Sequence, residues 1–325
     1  MTTRHRVLVL TAASLGILNA LADQGPLVAA RDSLAGAQTR LAGAQDTLTM
    51  TVAARSVAPG ELLVLTLTVP PDANAVIVRI FDREVPAFRI ATTLWRAIVG
   101  IDLETRGGHY AVSLVARTAG RESHRETSVD VVARRFPTRR LQVEPRFVDP
   151  PPEVQQRIAR EAKELDAVWA ASGTVRLWSD PFVKPVPGAS ANRFGSRSVF
   201  NGQPRNPHSG DDFSGATGTP VLAPNAGHVA LARELYFAGN TVIVDHGLGL
   251  FSLLAHLSAF DVREGDQVTA GQRVGRVGAT GRVTGPHLHW AVRAAGARID
   301  PSSLLAMLGN APAASEPKPS SGSVR

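Results

Sequence analysis

The segment Gly285-Pro286-His287-Leu288-His289-Trp290 constrains this chain more than any other. Side chains on a β-strand alternate between two faces, so His287 and His289 point the same way if this segment is a strand. Pro207-His208-Ser209-Gly210-Asp211-Asp212 adds a His and a carboxylate four residues apart, and Leu254-Ala255-His256-Leu257-Ser258 adds another His. Six of the nine His lie between His208 and His289. A catalytic zinc site takes three protein ligands and keeps one position for water. His208, Asp212 and His289 make such a set. His256 and His287 are then left to move protons or to stabilise a charged tetrahedral intermediate. His228 and His246 sit on Gly-flanked turns and read as structural.

The chain has no Cys, which excludes disulfides, thiolate zinc sites and a Cys nucleophile. Its 325 residues are enough for two domains, and 44% apolar content is enough for real cores. The formal net charge of +7 is carried by scattered Arg, with no dense basic run and no aromatic-interleaved stripe. That pattern argues against nucleic acid and leaves a membrane surface or an anionic polymer such as a cell wall.

Along the chain, residues 1–22 have the parts of a secretory signal: Arg4 and Arg6, an apolar run over 7–18, and Ala20-Leu21-Ala22 before Asp23. The run is short for a membrane span, so the expectation is cleavage, export to the periplasm or cell envelope, and no stable membrane span afterwards. No Cys follows, which excludes a lipoprotein. Residues 23–45 read as a linker. Over 46–150, strands expected at 62–69, 76–81, 110–115 and 129–132 give a β-sandwich leader domain, Ig-like in pattern. His109 and His124 lie there without partners at ligand spacing. Within a linker at 151–181, Val154, Ile158, Ala162, Leu165 and Trp169 predict an amphipathic helix over 153–172, packed between domains. From 182 to 309 the chain is β-rich again, with strands expected at 227–234, 240–245, 250–256 and 287–293. The glycine-spaced turns over 268–281 are like those of biotinyl carriers, but 262–296 holds no Lys to modify. The tail, 310–325, has a disordered composition. The fold class is predominantly all-β.

Longer stretches carry a resemblance. Asn192-Arg193-Phe194-Gly195-Ser196-Arg197 and the segment from Phe200 to Asp212 resemble the lysostaphin/LytM-type zinc metallopeptidases. So do Gly218-Thr219-Pro220-Val221, Gly239-Asn240-Thr241-Val242, Asp245-His246-Gly247, Ala255-His256-Leu257-Ser258, Gly278-Ala279-Thr280-Gly281-Arg282 and Gly285 to Trp290. The resemblance covers about residues 182–305 and implies a compact antiparallel β fold with an open groove. It implies zinc ligands His208, Asp212 and His289, with His256 and His287 as the catalytic pair. The implied activity is that of a secreted zinc metalloendopeptidase that cleaves peptide cross-links of peptidoglycan through a zinc-activated water. The alternative is a catalytically silent peptidoglycan-binding module that activates another cell-wall hydrolase, but this chain keeps all five positions. Asp211 stands where family members usually have an apolar residue. Leu254 stands where many have Tyr, which implies different substrate contacts. The leader and the helix are expected to restrict access to the groove, and a fragment starting near Phe182 is expected to fold alone.

Overall fold

Aliphatic and β-branched runs, broken by Gly, Pro and Asp turns, make this chain mostly β-strand. The structure is a computed structural model that describes residues 8–11, 48–142, 148, 150–179 and 181–309. The expected linker at 23–45, the tail at 310–325 and most of the expected signal lie outside the described residues.

In the N-terminal part, strands β1 (Leu8–Thr11), β2 (Thr49–Ala54), β3 (Leu62–Thr68), β4 (Ala75–Ile80), β5 (Arg83–Pro86), β6 (Phe88–Arg89), β7 (Leu94–Gly100), β8 (Gly108–Arg117) and β9 (Glu122–Val131) form two antiparallel sheets. Their orders are β1-β2-β3-β7-β6 and β5-β4-β8-β9. One core joins them: Leu63, Leu65, Leu67 and Val99 of the first sheet cluster with Val76, Val78, Val112 and Leu114 of the second. β9 starts seven residues before the expected 129, because Glu122, His124 and Glu126 face outward and hide the strand from an apolar scan. β1 takes four residues of the expected signal's apolar run and pairs them with β2, a short apolar segment being as apt for an edge strand as for a signal.

The C-terminal part has a small sheet of β10 (Thr138–Leu141), β11 (Arg197–Phe200) and β12 (Gln203–Pro204), with β10 parallel to β11. Its main sheet has nine strands: β13 (Gly210–Ser214), β14 (Pro220–Leu222), β15 (Gly227–Leu235), β16 (Gly239–Asp245), β17 (Leu250–Phe260), β18 (Gln267–Val268), β19 (Arg273–Val277), β20 (His287–Ala294) and β21 (Ala297–Ile299). The path runs β13-β20-β17-β16-β15-β18, with β19 joining β14 to β17 and β21 on β20. Helix α1 (Pro152–Ala170) begins with Pro in its first turn, where a missing N–H costs nothing. The helix does not lie between domains as expected. Its Leu165, Val168 and Trp169 cover Leu231, Ile243 and Phe251 on β15, β16 and β17. Helix α2 (Pro301–Leu308) follows β21, and its N-cap Asp300 accepts from the Ser302 amide at 2.8 Å.

The two parts share buried structure. Leu62, Val64 and Ile98 of the N-terminal part belong to the same core cluster as Ala297, Ile299 and Leu304 of the C-terminal part. Glu61, 2% exposed, accepts from Arg55 at 2.7 Å, Arg134 at 3.1 Å and the Ser303 hydroxyl at 2.8 Å. Arg55 also donates to Asp300 at 2.8 Å, and Arg298 reaches Asp102 at 2.7 Å. A fragment from Phe182 would therefore expose an apolar face and strand Asp300 and Ser303, contrary to the sequence expectation. Among the described residues, no hydrogen bond or ion pair joins 48–142 to the side chains of His208, Asp212, His256, His287 or His289. Removing one partner of a buried ion pair costs about 3 kcal/mol or more. Glu61→Ala is expected to lower whole-chain stability by about that amount, read as a shift in the urea midpoint at constant slope.

Candidate active site

Pairing between β13 and β20 builds the centre of the site. Asp212 stands directly opposite His289, and Ser214 opposite His287, so these four share one face. On β20 the intervening Leu288, Trp290 and Val292 are buried and hold the strand to the core. His208, just before β13, is fixed by its amide on the Ser196 carbonyl at 2.9 Å and by its ring against His289, centroids 4.7 Å apart. Its Nδ1 is buried without a partner among the described residues, and its Nε2 faces the Asp212 Oδ1 at 3.2 Å. His289 Nδ1 approaches the same oxygen at 3.1 Å, and His287 Nε2 at 3.6 Å.

Two imidazole nitrogens thus converge on one carboxylate oxygen. Zinc bound tetrahedrally through bonds of about 2.0–2.1 Å needs ligand atoms about 3.3 Å apart. The two separations to Asp212 Oδ1 match that edge, and nitrogen plus carboxylate is a donor set that zinc accepts. Among the described residues, this is the one cluster of three or more His, Cys, Asp or Glu whose ligand atoms lie within 4.8 Å of one another. Burial pushes the Asp212 carboxyl up. The hydrogen bonds and charges of His208 and His289 outweigh burial and hold it well below the usual carboxylate range. Arg193 Nη1 lies 3.3 Å from the other oxygen, Oδ2, and favours the same ionised form.

Asp211 is on the opposite face. It is 1% exposed, and its Oδ1 accepts from the amides of Arg193 and Asp212, both at 2.9 Å. Its Oδ2 accepts from the Ser190 hydroxyl. Asp211 therefore anchors the 190–193 turn rather than offering an oxygen to the cluster.

His256 enters through a defect in β17. The register with β16 slips between Asn240 and Val242, and His256 takes φ +64°, a left-handed value rare for a residue with a side chain. The slip turns its ring toward β20, with centroids 4.9 Å from His287 and 5.8 Å from His289. His256 Nδ1 donates to the Thr280 carbonyl at 2.9 Å, and His287 Nδ1 donates to the Gly285 carbonyl at 2.8 Å. A carbonyl can only accept, so in each ring Nδ1 carries the proton and Nε2 is the free acceptor. Burial drives the His256 pKa down to about 3, with His289 and His287 adding to the effect and the Thr280 bond opposing it. Burial likewise lowers that of His289.

The five side chains singled out from the sequence are brought together; His228 and His246 are not among them. His228 lies on β15 and not on a turn, and His246 is buried between the Ala226 carbonyl and Ser252. Leu254 is wholly buried opposite Trp290, so the residue that replaces Tyr makes core contacts and none with a groove.

The model of Peptidase family M23 matches residues 206–301. A crystal structure from Pseudomonas aeruginosa, ascribed to peptidase M23, superposes with a TM-score of 0.61 at 34% identity, over 77% of this chain and 95% of that one. This chain belongs to peptidase family M23. Over 109 residues, 34% of this chain and 24% of the relative, it is 42% identical to the peptidoglycan DD-endopeptidase ShyA of Vibrio cholerae. It is also 42% identical to the DD-carboxypeptidase/endopeptidase Mpg of Neisseria meningitidis, over 30% of this chain and 22% of that relative. The matches span about a quarter of the length of these curated relatives.

In this M23 chain, sequence reasoning missed three supports: Arg193 on Asp212, and the Thr280 and Gly285 carbonyls on the two imidazoles. Carbonyl contacts leave no trace in residue type. Arg193 lies in a stretch that matched the family pattern, yet nothing in the sequence aims it at Asp212. The Thr280 carbonyl is seated by Gly239, whose φ is +63°, because a Cβ there would lie 2.4 Å from Thr280. Gly239→Ala is expected to push Thr280 off His256 and to cost about 1–3 kcal/mol of stability. The downfield proton signal of His256 Nδ1–H should then broaden or vanish in NMR spectra.

Proposed function

We propose that this M23 chain is an exported zinc metalloendopeptidase that hydrolyses the peptide cross-links of bacterial peptidoglycan. The observation that carries the reading is the pairing of a His208–Asp212–His289 cluster with two imidazoles whose Nδ1–H groups are committed to backbone carbonyls. The names of the relatives ShyA and Mpg support the substrate, as does the formal charge of +7, still +5 once Arg4 and Arg6 leave with the signal, since cross-link peptides carry carboxylates.

In this reading His208, Asp212 and His289 hold the metal. Zinc bound there supplies Lewis acidity toward the scissile carbonyl and makes a water more acidic. His256 and His287 do the proton work. Burial keeps His256 neutral far below pH 7, which leaves its Nε2 unprotonated but weakly basic, and the negative charge that develops on the attacking water and the carbonyl oxygen is what draws the proton onto it. The imidazolium so formed stabilises negative charge on the carbonyl oxygen and can return the proton to the leaving amine. The Thr280 and Gly285 carbonyls fix both rings while this happens, and Arg193, 3.3 Å from Asp212 Oδ2, favours the ionised carboxylate.

His208→Ala, Asp212→Ala and His289→Ala are expected to lose zinc and activity together. His256→Asn, which tolerates the left-handed backbone, and His287→Ala should keep zinc and lose about a hundredfold or more in turnover. Atomic absorption beside mass spectrometry of digested peptidoglycan reads both and names the bond cut. Wild-type protein that holds zinc and binds peptidoglycan without cleaving it would instead be a silent binding module.

Export is part of the same proposal, supported by Arg4, Arg6, the apolar run and Ala20-Leu21-Ala22; cleavage there removes β1 with the signal and leaves β2 as the edge of the first sheet. N-terminal sequencing of the protein recovered outside the cytoplasm should begin at Asp23. A chain starting at Met1 and sedimenting with membranes would overturn it.

A further inference from the structure

Arg282 sits on the loop between β19 and β20, two residues after Thr280 and three before Gly285. The same short loop therefore carries the carbonyls that orient His256 and His287. The loop is firmly placed: the Arg282 amide donates to the Phe237 carbonyl at 2.9 Å, and Gly281, at φ +76°, packs against the backbone of 237–239.

The side chain is in an unusual setting. Its guanidinium lies 4.5 Å from the ring centre of Phe237 and 5.6 Å from that of Phe200. Aromatic faces attract a cation but accept no good hydrogen bond, so the five N–H donors of the head remain to be satisfied. Among the described residues no carboxylate and no carbonyl accepts from them. Three other half-buried arginines are answered: Arg55 by Glu61 and Asp300, Arg298 by Asp102 and Glu104, and Arg83 by the carbonyls of Ala295 and Gly100. Arg282 instead feels a second cation. Burial lowers its pKa and the charge of Arg205 lowers it further, with Tyr236 opposing them in part. Arg205 donates its Nη2 to the Val148 carbonyl and to Gln203 Oε1 and, being a guanidinium, has no acceptor to offer Arg282. A partly buried cation, pressed against aromatic rings and a like charge, is stabilised by an anion that fills its fork.

We propose that Arg282 binds a free carboxylate of the substrate peptide, and so selects cross-links that bear one on the carbon next to the scissile amide nitrogen. This rests on the hydrolase reading above. A planar, bidentate carboxylate meets both the charge and the donor geometry, and Arg282 lies between the two loop residues whose carbonyls hold the imidazoles.

The test uses the whole zinc-loaded chain and two cross-linked peptides identical except that this carboxylate is free in one and a carboxamide in the other. Wild type is expected to favour the free acid by about tenfold or more in kcat/KM. Arg282→Gln should collapse that ratio toward one, mainly through KM, and Arg282→Lys should restore part of it. A purely structural role would slow both peptides by the same factor and keep the ratio, which would overturn the proposal, as would a wild-type ratio near one. If wild type cleaves neither peptide, the hydrolase reading fails. Calorimetric titration of the same two peptides then decides the subsite: tighter binding of the acid that Arg282→Gln abolishes supports it, and equal binding overturns it.

Discussion

The register between β13 and β20 is the constraint on which the site depends. It sets Asp212 opposite His289 and so brings a carboxylate oxygen within 3.1 Å of an imidazole nitrogen. A slip of one residue would turn Asp211 and Phe213 to the site and Asp212 into the core. Two features forbid it. Phe213, Leu288 and Trp290 are buried on the far face, and Asp211 is tied there to Ser190 and to the Arg193 amide. The residue that departs from the family pattern is thus part of what locks the register.

The His256 backbone shows the cost of precision at such a site. A side chain at φ +64° is disfavoured by about 1–3 kcal/mol, and the surrounding structure must hold it. The His256 amide donates to the Ala238 carbonyl at 3.0 Å, and its ring is pinned by Thr280, which in turn bonds Leu257 and Asn240 through its hydroxyl. An unstrained strand would point position 256 wherever the alternation of β17 dictated. The slip detaches this one ring from that alternation without disturbing Leu254 and Leu257, which stay in the core.

How much of this was legible in the sequence divides along the range of the interactions. Alternation over His287 to Trp290 reads directly, because a strand's period is local. The helix reads for the same reason, and only its resting place was wrong: the periodic face of Leu165 and Trp169 says that something covers it, not that β15 to β17 do. β9 was half hidden by outward Glu and His. Within the site, the five ionisable side chains could be named, since their residue types carry the chemistry. The Thr280 and Gly285 carbonyls, the left-handed His256 and the Arg193 contact could not, since they arise from which segments meet. The bonds across Glu61 lie furthest out of reach, joining residues about 240 apart.

That last set has a consequence for how the molecule comes apart. Because Glu61 binds Arg55, Arg134 and Ser303 at once, and Asp300 caps α2 while holding Arg55, neither half can open without uncovering charge in the other. The chain should melt as one cooperative unit, with calorimetric and van't Hoff enthalpies in agreement, although it contains two separate sheet systems. The N-terminal sheets are then no interchangeable appendage. A chimera carrying a different leader would have to bring along the Gly60–Leu62 edge that the rest of the fold grips.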